Sequence, residues 1–280
     1  MEIIANGREE WIGWVELAKE TINEVSVNIT ARVIKEVNAD IFAIVEAEDR
    51  PSLVTFNKEF LDNDYRHIMI IDGNDERGID VGIMTRENFA INSIHSNVDT
   101  RDNTGIVFSR DCAQYEVATP GGNTVYVLVN HFKSQSGGGG DKRKRQAGEV
   151  RRIAERLVSE NKHVVVLGDL NEGPKANSVM AENLKPLYEN NSPLTDCYSL
   201  PGFDTGNRPG SFDSCGLSNR LDYIFISKSL ENKFSGGKVF RKGLWGSRVT
   251  RPDMWEIYHE INESYEQASD HSALFIDLDI

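Results

Sequence analysis

Val164-Val165-Val166-Leu167-Gly168-Asp169-Leu170-Asn171 is the stretch from which the fold is read. Four consecutive apolar residues, three of them β-branched, are too few for a helix and suit a strand buried on both faces. The strand delivers Asp169 and Asn171 to a loop. They lie two apart, so they face the same way if the extended chain continues. Together they offer a carboxylate, able to act as metal ligand or base, and a neutral amide able to orient a phosphate. The plainer alternative is a strand-to-turn exit, because Asp and Asn both favour turns.

Other apolar strands end in the same manner. Ile41 to Val45 runs into Glu46, a residue rarely buried without a metal ion, Lys or Arg as partner. Thr124 to Asn130 runs into His131, which suits proton donation or a phosphate contact, although a lone His is more often structural. Arg220 and Asp222 open the strand Leu221 to Ile226, where a surface ion pair is the alternative. Asp270-His271 sets a carboxylate beside an imidazole just before the strand Ala273 to Leu278; a helix cap or turn would use the same residues. His67 to Ile71 and Val81 to Thr85 read as strands around the turn-rich Asp72-Gly73-Asn74-Asp75.

Helical spacing runs over residues 9 to 37, first through Trp11, Trp14, Val15 and Ala18, then through Val33, Ile34 and Val37. A flexible Gly137 to Gly140 loop and the basic Lys142-Arg143-Lys144-Arg145 lead into a helix with Val150, Ile153, Ala154 and Leu157 on one face. Strands outnumber helices and several end in reactive residues. The expectation is an α/β scaffold with its active site at one edge of the strands.

The chain has 280 residues, 39% of them hydrophobic, enough for a sizeable core. With no linker-like tract or internal repeat, a single domain over 1–280 is expected. A net charge of −13 counts against nucleic-acid binding by bulk charge. It leaves room for a local basic patch, or for a metal site that uses several carboxylates. Cys112, Cys197 and Cys215 form no CxxC pair, so free thiols are expected; a Cys197–Cys215 bridge is the alternative in an exported protein. No membrane span and no obligate protein partner are expected. The opening residues lack a signal-peptide layout, which leaves a cytoplasmic or a secreted location open.

Taken in order, Glu46, the strand-end His131, Gly168-Asp169-x-Asn171, Arg220-x-Asp222-Tyr223-Ile224 and Ser269-Asp270-His271 resemble the endonuclease/exonuclease/phosphatase superfamily. That group includes pancreatic deoxyribonuclease, apurinic-site endonucleases, neutral sphingomyelinases and inositol polyphosphate phosphatases. The resemblance spans roughly residues 30 to 280. It implies a four-layer α/β/β/α sandwich with two packed mixed sheets. It also implies a site for Mg²⁺ or Mn²⁺, with Ca²⁺ as a third candidate. By this match Glu46 is the main metal ligand and Asp270 a further carboxylate of the metal site. Asp169 orients or deprotonates the attacking water, and Asn171 holds the phosphate. Asp222 orients His271, and His131 stabilises or protonates the phosphoryl group.

The run from Ile71 to Gly82, taken with Asn130-His131-Phe132-Lys133-Ser134, looks like a group of bacterial nuclease-like members. There Arg77 would touch phosphate and Asp80 would orient His131; a turn held by local charge pairs is the alternative. Asn130 joins them as a substrate contact. The basic residues from Lys142 to Arg156 would meet a nucleic-acid backbone, with Arg145 the first candidate, unless they form a solvated helix face. The family's opening strand, which bears a metal-site Asn, has no counterpart of adequate length. The helical Trp11–Ala18 segment comes at once and Asn6 lacks that setting, so the expectation is either a truncated sequence or a missing first strand. The implied function is a divalent-metal-dependent phosphodiester hydrolase, foremost a nuclease on DNA or RNA. A phosphatase or phospholipase-type enzyme on a small or lipid substrate is the runner-up, and an inactive interaction scaffold the third reading.

Overall fold

The computed structural model describes residues 23–176, 178, 180–189, 191–246 and 253–280. Trp11, Trp14, Val15, Ala18 and Asn6 lie outside these residues, and with them the expected early helix and the question of the first strand. The first described element shows how local chemistry starts a helix. The Asn23 side chain accepts hydrogen bonds from the backbone N–H groups of Val25 and Ser26. Helix α1 (Glu24–Val37) then runs until Asn38 turns left-handed and its N–H caps Ile34.

The chain continues through β1 (Ile41–Ala47), α2 (Arg50–Phe60), β2 (His67–Ile71), β3 (Asp80–Thr85), β4 (Ile91–His95) and the short β5 (Arg101–Asp102) and β6 (Gly105–Ile106). Next come β7 (Cys112–Ala118), β8 (Thr124–His131), α3 (Gly140–Ser159) and β9 (His163–Asp169). The last third holds β10 (Leu194–Asp196), β11 (Phe203–Asp204), β12 (Asp222–Ser227), β13 (Phe234–Phe240) and β14 (Ala273–Leu278). No helix among the described residues is long and apolar enough to cross a membrane.

One sheet has six strands in the order β10-β12-β9-β8-β7-β4. Within it β8 and β9 are parallel, because α3 carries the chain back to the starting edge. Facing it are two three-stranded sheets, β1-β3-β2 and β11-β13-β14. β1 and β3 lie over β8, and β14 over β12. The space between is filled by alternate residues, Val125, Val127 and Val129 of β8 with Val165 of β9 and Ile224 and Ile226 of β12, against Val81 and Ile83 of β3. On the outer face of the six-stranded sheet, Leu128, Val164 and Val166 pack on Ala147, Val150, Ile153, Ala154 and Leu157 of α3. On the other side α1 and α2 cover β1–β3 through Ala31, Ile34, Phe56 and Met84. The architecture is therefore a helix–sheet–sheet–helix sandwich with mixed sheets. β1 and β14 each pair on one side with a described strand. Both also line a cavity of about 1140 Å³ that reaches Glu46, Asp169, Asp222 and His271 at one end.

All three cysteines are free and buried, as expected, and no Cys197–Cys215 bridge forms.

Candidate active site

Strand register builds the site. β8 and β9 pair so that His131 stands opposite Asp169, and β9 and β12 pair so that Asp169 stands opposite Asp222. Three neighbouring strands thus end in one row of reactive side chains. Each has the parity of the residues that face the second sheet, so all three point to the same side. Gly168 makes this row possible. It has φ of +129°, and a Cβ there would lie 1.9 Å from the Asn130 carbonyl oxygen.

The facing sheet contributes two more groups. Glu46 sits at an irregularity in the β1–β3 pairing with φ of +59°, which turns its carboxylate out of the strand alternation. This left-handed backbone is costly for a non-glycine residue, and such strain gathers at functional sites. His271 arrives just before β14, held by a bridge to Phe212 and by the Ser269 hydroxyl, which accepts its backbone N–H. Its Nδ1 lies 2.8 Å from Asp222 Oδ2. The Ser211 hydroxyl donates to the same carboxylate oxygen at 2.6 Å and accepts from the N–H groups of Leu221 and Asp222.

Asp169 is buried and accepts both the backbone N–H of Asn171 at 2.8 Å and its side-chain amide at 2.7 Å. Asn171, also left-handed at φ of +53°, in turn donates to the Phe132 carbonyl. His131 Nε2 stands 3.5 Å from Asp169 Oδ2 and 3.7 Å from Glu46 Oε1, too far for direct hydrogen bonds. Its Nδ1 is buried without a hydrogen-bond partner among the described residues.

The two imidazoles are tuned in opposite directions. Burial, then the nearby Arg110, His271 and Arg77 charges, push His131 down to about 3, so it is neutral at physiological pH. Burial opposes charging of His271 as well, but Asp222, Asp169 and Asp270 outweigh it and raise His271 to about 10. Between them, burial and the Asp222 charge hold the Asp169 carboxyl well above the usual carboxylate range.

Oxygen and nitrogen atoms of Asp169, Asp222 and His271 lie within 4.8 Å of one another, close enough to surround a metal ion. A protonated His271 already joined to Asp222 has no lone pair to give. A cation here would therefore rest on carboxylates, with Glu46, 62% exposed, the open one beside the row. Hard oxygen donors of this kind match Mg²⁺, Mn²⁺ or Ca²⁺, so the residues present fit such an ion.

Not every expected residue joins this cluster. Asn130 has the opposite parity to His131, so it is buried on the α3 side, away from the row, and donates to the Leu128 carbonyl. The Asp80 carboxylate accepts the Gly73 N–H at 2.6 Å, and no hydrogen bond joins it to His131 among the described residues. Arg145 makes a bidentate pair with Asp102 and ties β5–β6 to α3. The basic helix is largely neutralised, since Arg143 pairs with Glu172, Arg151 with Glu155 and Arg152 with Glu149. Asp270 is exposed, and its backbone carbonyl accepts from Asp213; its charge acts on His271, but its carboxylate is outside the close cluster. Arg77 does lie near His131, with its guanidinium bidentate on Asp75.

Two participants were missed by sequence reading. Arg110, 2% exposed, pairs with Asp75 Oδ2 at 3.1 Å, an oxygen that Arg77 also contacts, and donates to the Phe132 carbonyl. Ser211 fixes Asp222. Neither stands at the end of an apolar run, the signal that revealed the others.

The chain matches the profile of the Endonuclease/Exonuclease/phosphatase family over residues 2–256. A search among curated proteins finds no significant match. Several solved structures share the fold. An endonuclease/exonuclease/phosphatase family protein from Bacteroides thetaiotaomicron is 16% identical with a TM-score of 0.66, covering 90% of this chain and 88% of that one. A mannosyl-6-phosphatase from the same organism is also 16% identical, with a TM-score of 0.64 and 90% coverage of both chains. Truncated TDP2 from Caenorhabditis elegans is 18% identical with a TM-score of 0.61, covering 89% of this chain and 88% of that one. With a family profile matched along most of its length and the sandwich fold to go with it, the chain belongs to the endonuclease/exonuclease/phosphatase family, a group of hydrolases acting on phosphoester bonds.

Proposed function

We propose that the chain is a divalent-metal-dependent phosphodiester hydrolase, and specifically a nuclease. The observation that carries this reading is the row Asp222–Asp169–His131 with one neutral and one charged imidazole on either side of a buried carboxyl. Groups whose environments push their pKa values apart mark acid and base roles. Asp169 holds a proton tightly, the property required of a base that takes one from water. Asn171 keeps that carboxylate aimed. His271, kept charged by Asp222, stabilises negative charge growing on the phosphoryl oxygens. Neutral His131 presents a hydrogen bond to the phosphoryl group without needing to lose a proton first. Arg77 and Arg110 add positive potential beside it. Glu46, with the carboxylates of Asp169 and Asp222 near, would hold the metal ion. When bound, that ion withdraws charge from the phosphate and stabilises the leaving oxygen.

The test uses plasmid DNA, bis-p-nitrophenyl phosphate and sphingomyelin, each with Mg²⁺ and with chelator. Chelator-sensitive plasmid nicking that is lost in His131→Ala supports the nuclease. Turnover of sphingomyelin alone favours a lipid phosphodiesterase, and no turnover of any substrate favours an inactive scaffold.

One observation favours a second reading, a phosphatase on a small substrate. Four of the five α3 arginines that would have met a polymer backbone are paired with carboxylates. A mannosyl-6-phosphatase is among the neighbours in fold. Faster release of phosphate from mannose 6-phosphate than cleavage of any diester would favour it.

A further inference from the structure

Around the His131 end of the site the arginines are matched with acids and Lys133 with neutral oxygens, while one cation has neither among the described residues. Arg77 and Arg110 share Asp75, and Arg145 has Asp102. Lys133 is satisfied by oxygens of Ser134 and Ser136. Lys142, in the first turn of α3, is half-buried and has no hydrogen-bond or carboxylate partner among the described residues. Its surroundings are cationic: Arg145, Lys133 and Arg110 act on it, and the acid within reach, Asp75, is already shared by two arginines.

The position is also rigid. The next residue, Arg143, donates to the carbonyls of Lys133, Ser134 and Gly138 and pairs with buried Glu172. The Lys133 N–H is bonded to Gln146 of the same helix at 3.0 Å. These bonds fasten the first turn of α3 to the strand end that carries His131. An ammonium that starts from this fastened turn among like charges, with no counter-ion among the described residues, is unfavourable until an anion arrives.

We propose that Lys142 binds a second phosphate of the substrate, next to the one that is hydrolysed. The idea rests on the phosphoester reading above and deepens it: the preferred substrate carries two phosphates a short distance apart. A nucleic-acid backbone and a small bisphosphate both meet that description. Burial and the neighbouring arginines hold the Lys142 ammonium below the usual lysine range, in keeping with a charge that lacks its partner.

Binding of a fluorescein-labelled oligothymidylate, followed by polarisation in chelator, tests this without hydrolysis. Lys142→Met is expected to weaken binding about tenfold at low salt, and to reduce the slope of log affinity against log salt by about 0.7, the value for one phosphate contact on a single strand. Lys142→Arg keeps the charge and is expected to stay within about twofold of wild type. Competition by glucose 1,6-bisphosphate but not glucose 6-phosphate would assign the second phosphate to a small molecule. In turnover assays with Mg²⁺, Lys142→Met should raise KM for the oligonucleotide far more than it lowers kcat. Equal affinities and equal salt slopes for wild type and Lys142→Met would overturn the proposal. That failure is separable from failure of the hydrolase reading: a Lys142-dependent slope with no turnover would remove the second and leave the first.

Discussion

Gly168→Ala probes the joint on which the catalytic row hangs. The new methyl group would lie 1.9 Å from the Asn130 oxygen. Ordinary carbon–oxygen contact is about 3.3 Å, so β8 and β9 must separate by more than about an ångström there. Alanine must also adopt φ of +129°, which costs about 1–3 kcal/mol. Forcing an extra carbon into a packed interior adds about 1–3 kcal/mol. Together the loss is about 2–6 kcal/mol, or a fall in Tm of roughly 3–10 °C for a chain of this size. The displacement falls between His131 and Asp169, already 3.5 Å apart. A shift of about an ångström in a catalytic pair lowers kcat by about a hundredfold. Denaturant unfolding and hydrolysis of bis-p-nitrophenyl phosphate measure the two effects. Stability within about 0.5 kcal/mol of wild type, the range of an ordinary surface change, would refute the argument.

Glu46→Asn keeps a residue tolerant of the left-handed backbone but removes the carboxylate. Stability should hold or rise by about 0.5–1 kcal/mol while metal-dependent activity falls at least a hundredfold, read by denaturation and kinetics. Asp222→Asn takes away the partner that raises His271 to about 10. The alkaline limb of the pH–rate profile should move down by several units toward an ordinary imidazole, near 6.5. The sign for stability follows. A raised folded-state pKa on His271 adds stability that is complete below about pH 6.5 and fades as pH climbs toward 10. That alkaline fade should vanish in Asp222→Asn, as followed by Tm against pH. Arg110→Met removes a buried charge that depresses His131, so the His131 ring should titrate higher by NMR.

Much of the site was legible because it follows strand periodicity. Val164–Leu167 pointed to Asp169, Thr124–Asn130 to His131, and Ile41–Val45 to Glu46, each as a polar residue ending an apolar run. Their convergence is a matter of register, which those same runs constrain, since a one-residue slip would turn His131 to the α3 side and Asn130 into the site. Asn130 lies outside the row because, although next to His131 in sequence, it has the opposite parity. The pairing of Arg145 and Arg143 was not legible because their carboxylate partners lie elsewhere in the chain: Asp102 is in β5 and Glu172 follows β9. β7 went unread because Gln114 and Glu116 interrupt its apolar pattern, although its neighbours bury it. Helix α2, with Pro51 in its first turn and a mostly half-exposed surface, carries weak periodicity. Arg110 had no local signal, because its role comes from Asp75 and Phe132, both distant along the chain.

The central claim is that Asp169 is the base in a metal-dependent hydrolytic site. Hydrolysis of bis-p-nitrophenyl phosphate with Mg²⁺, by wild type and by Asp169→Asn of matched Tm, tests it most directly. The account predicts chelator-sensitive turnover in wild type and a loss of about a thousandfold or more in the variant. Turnover in Asp169→Asn within about tenfold of wild type would contradict it.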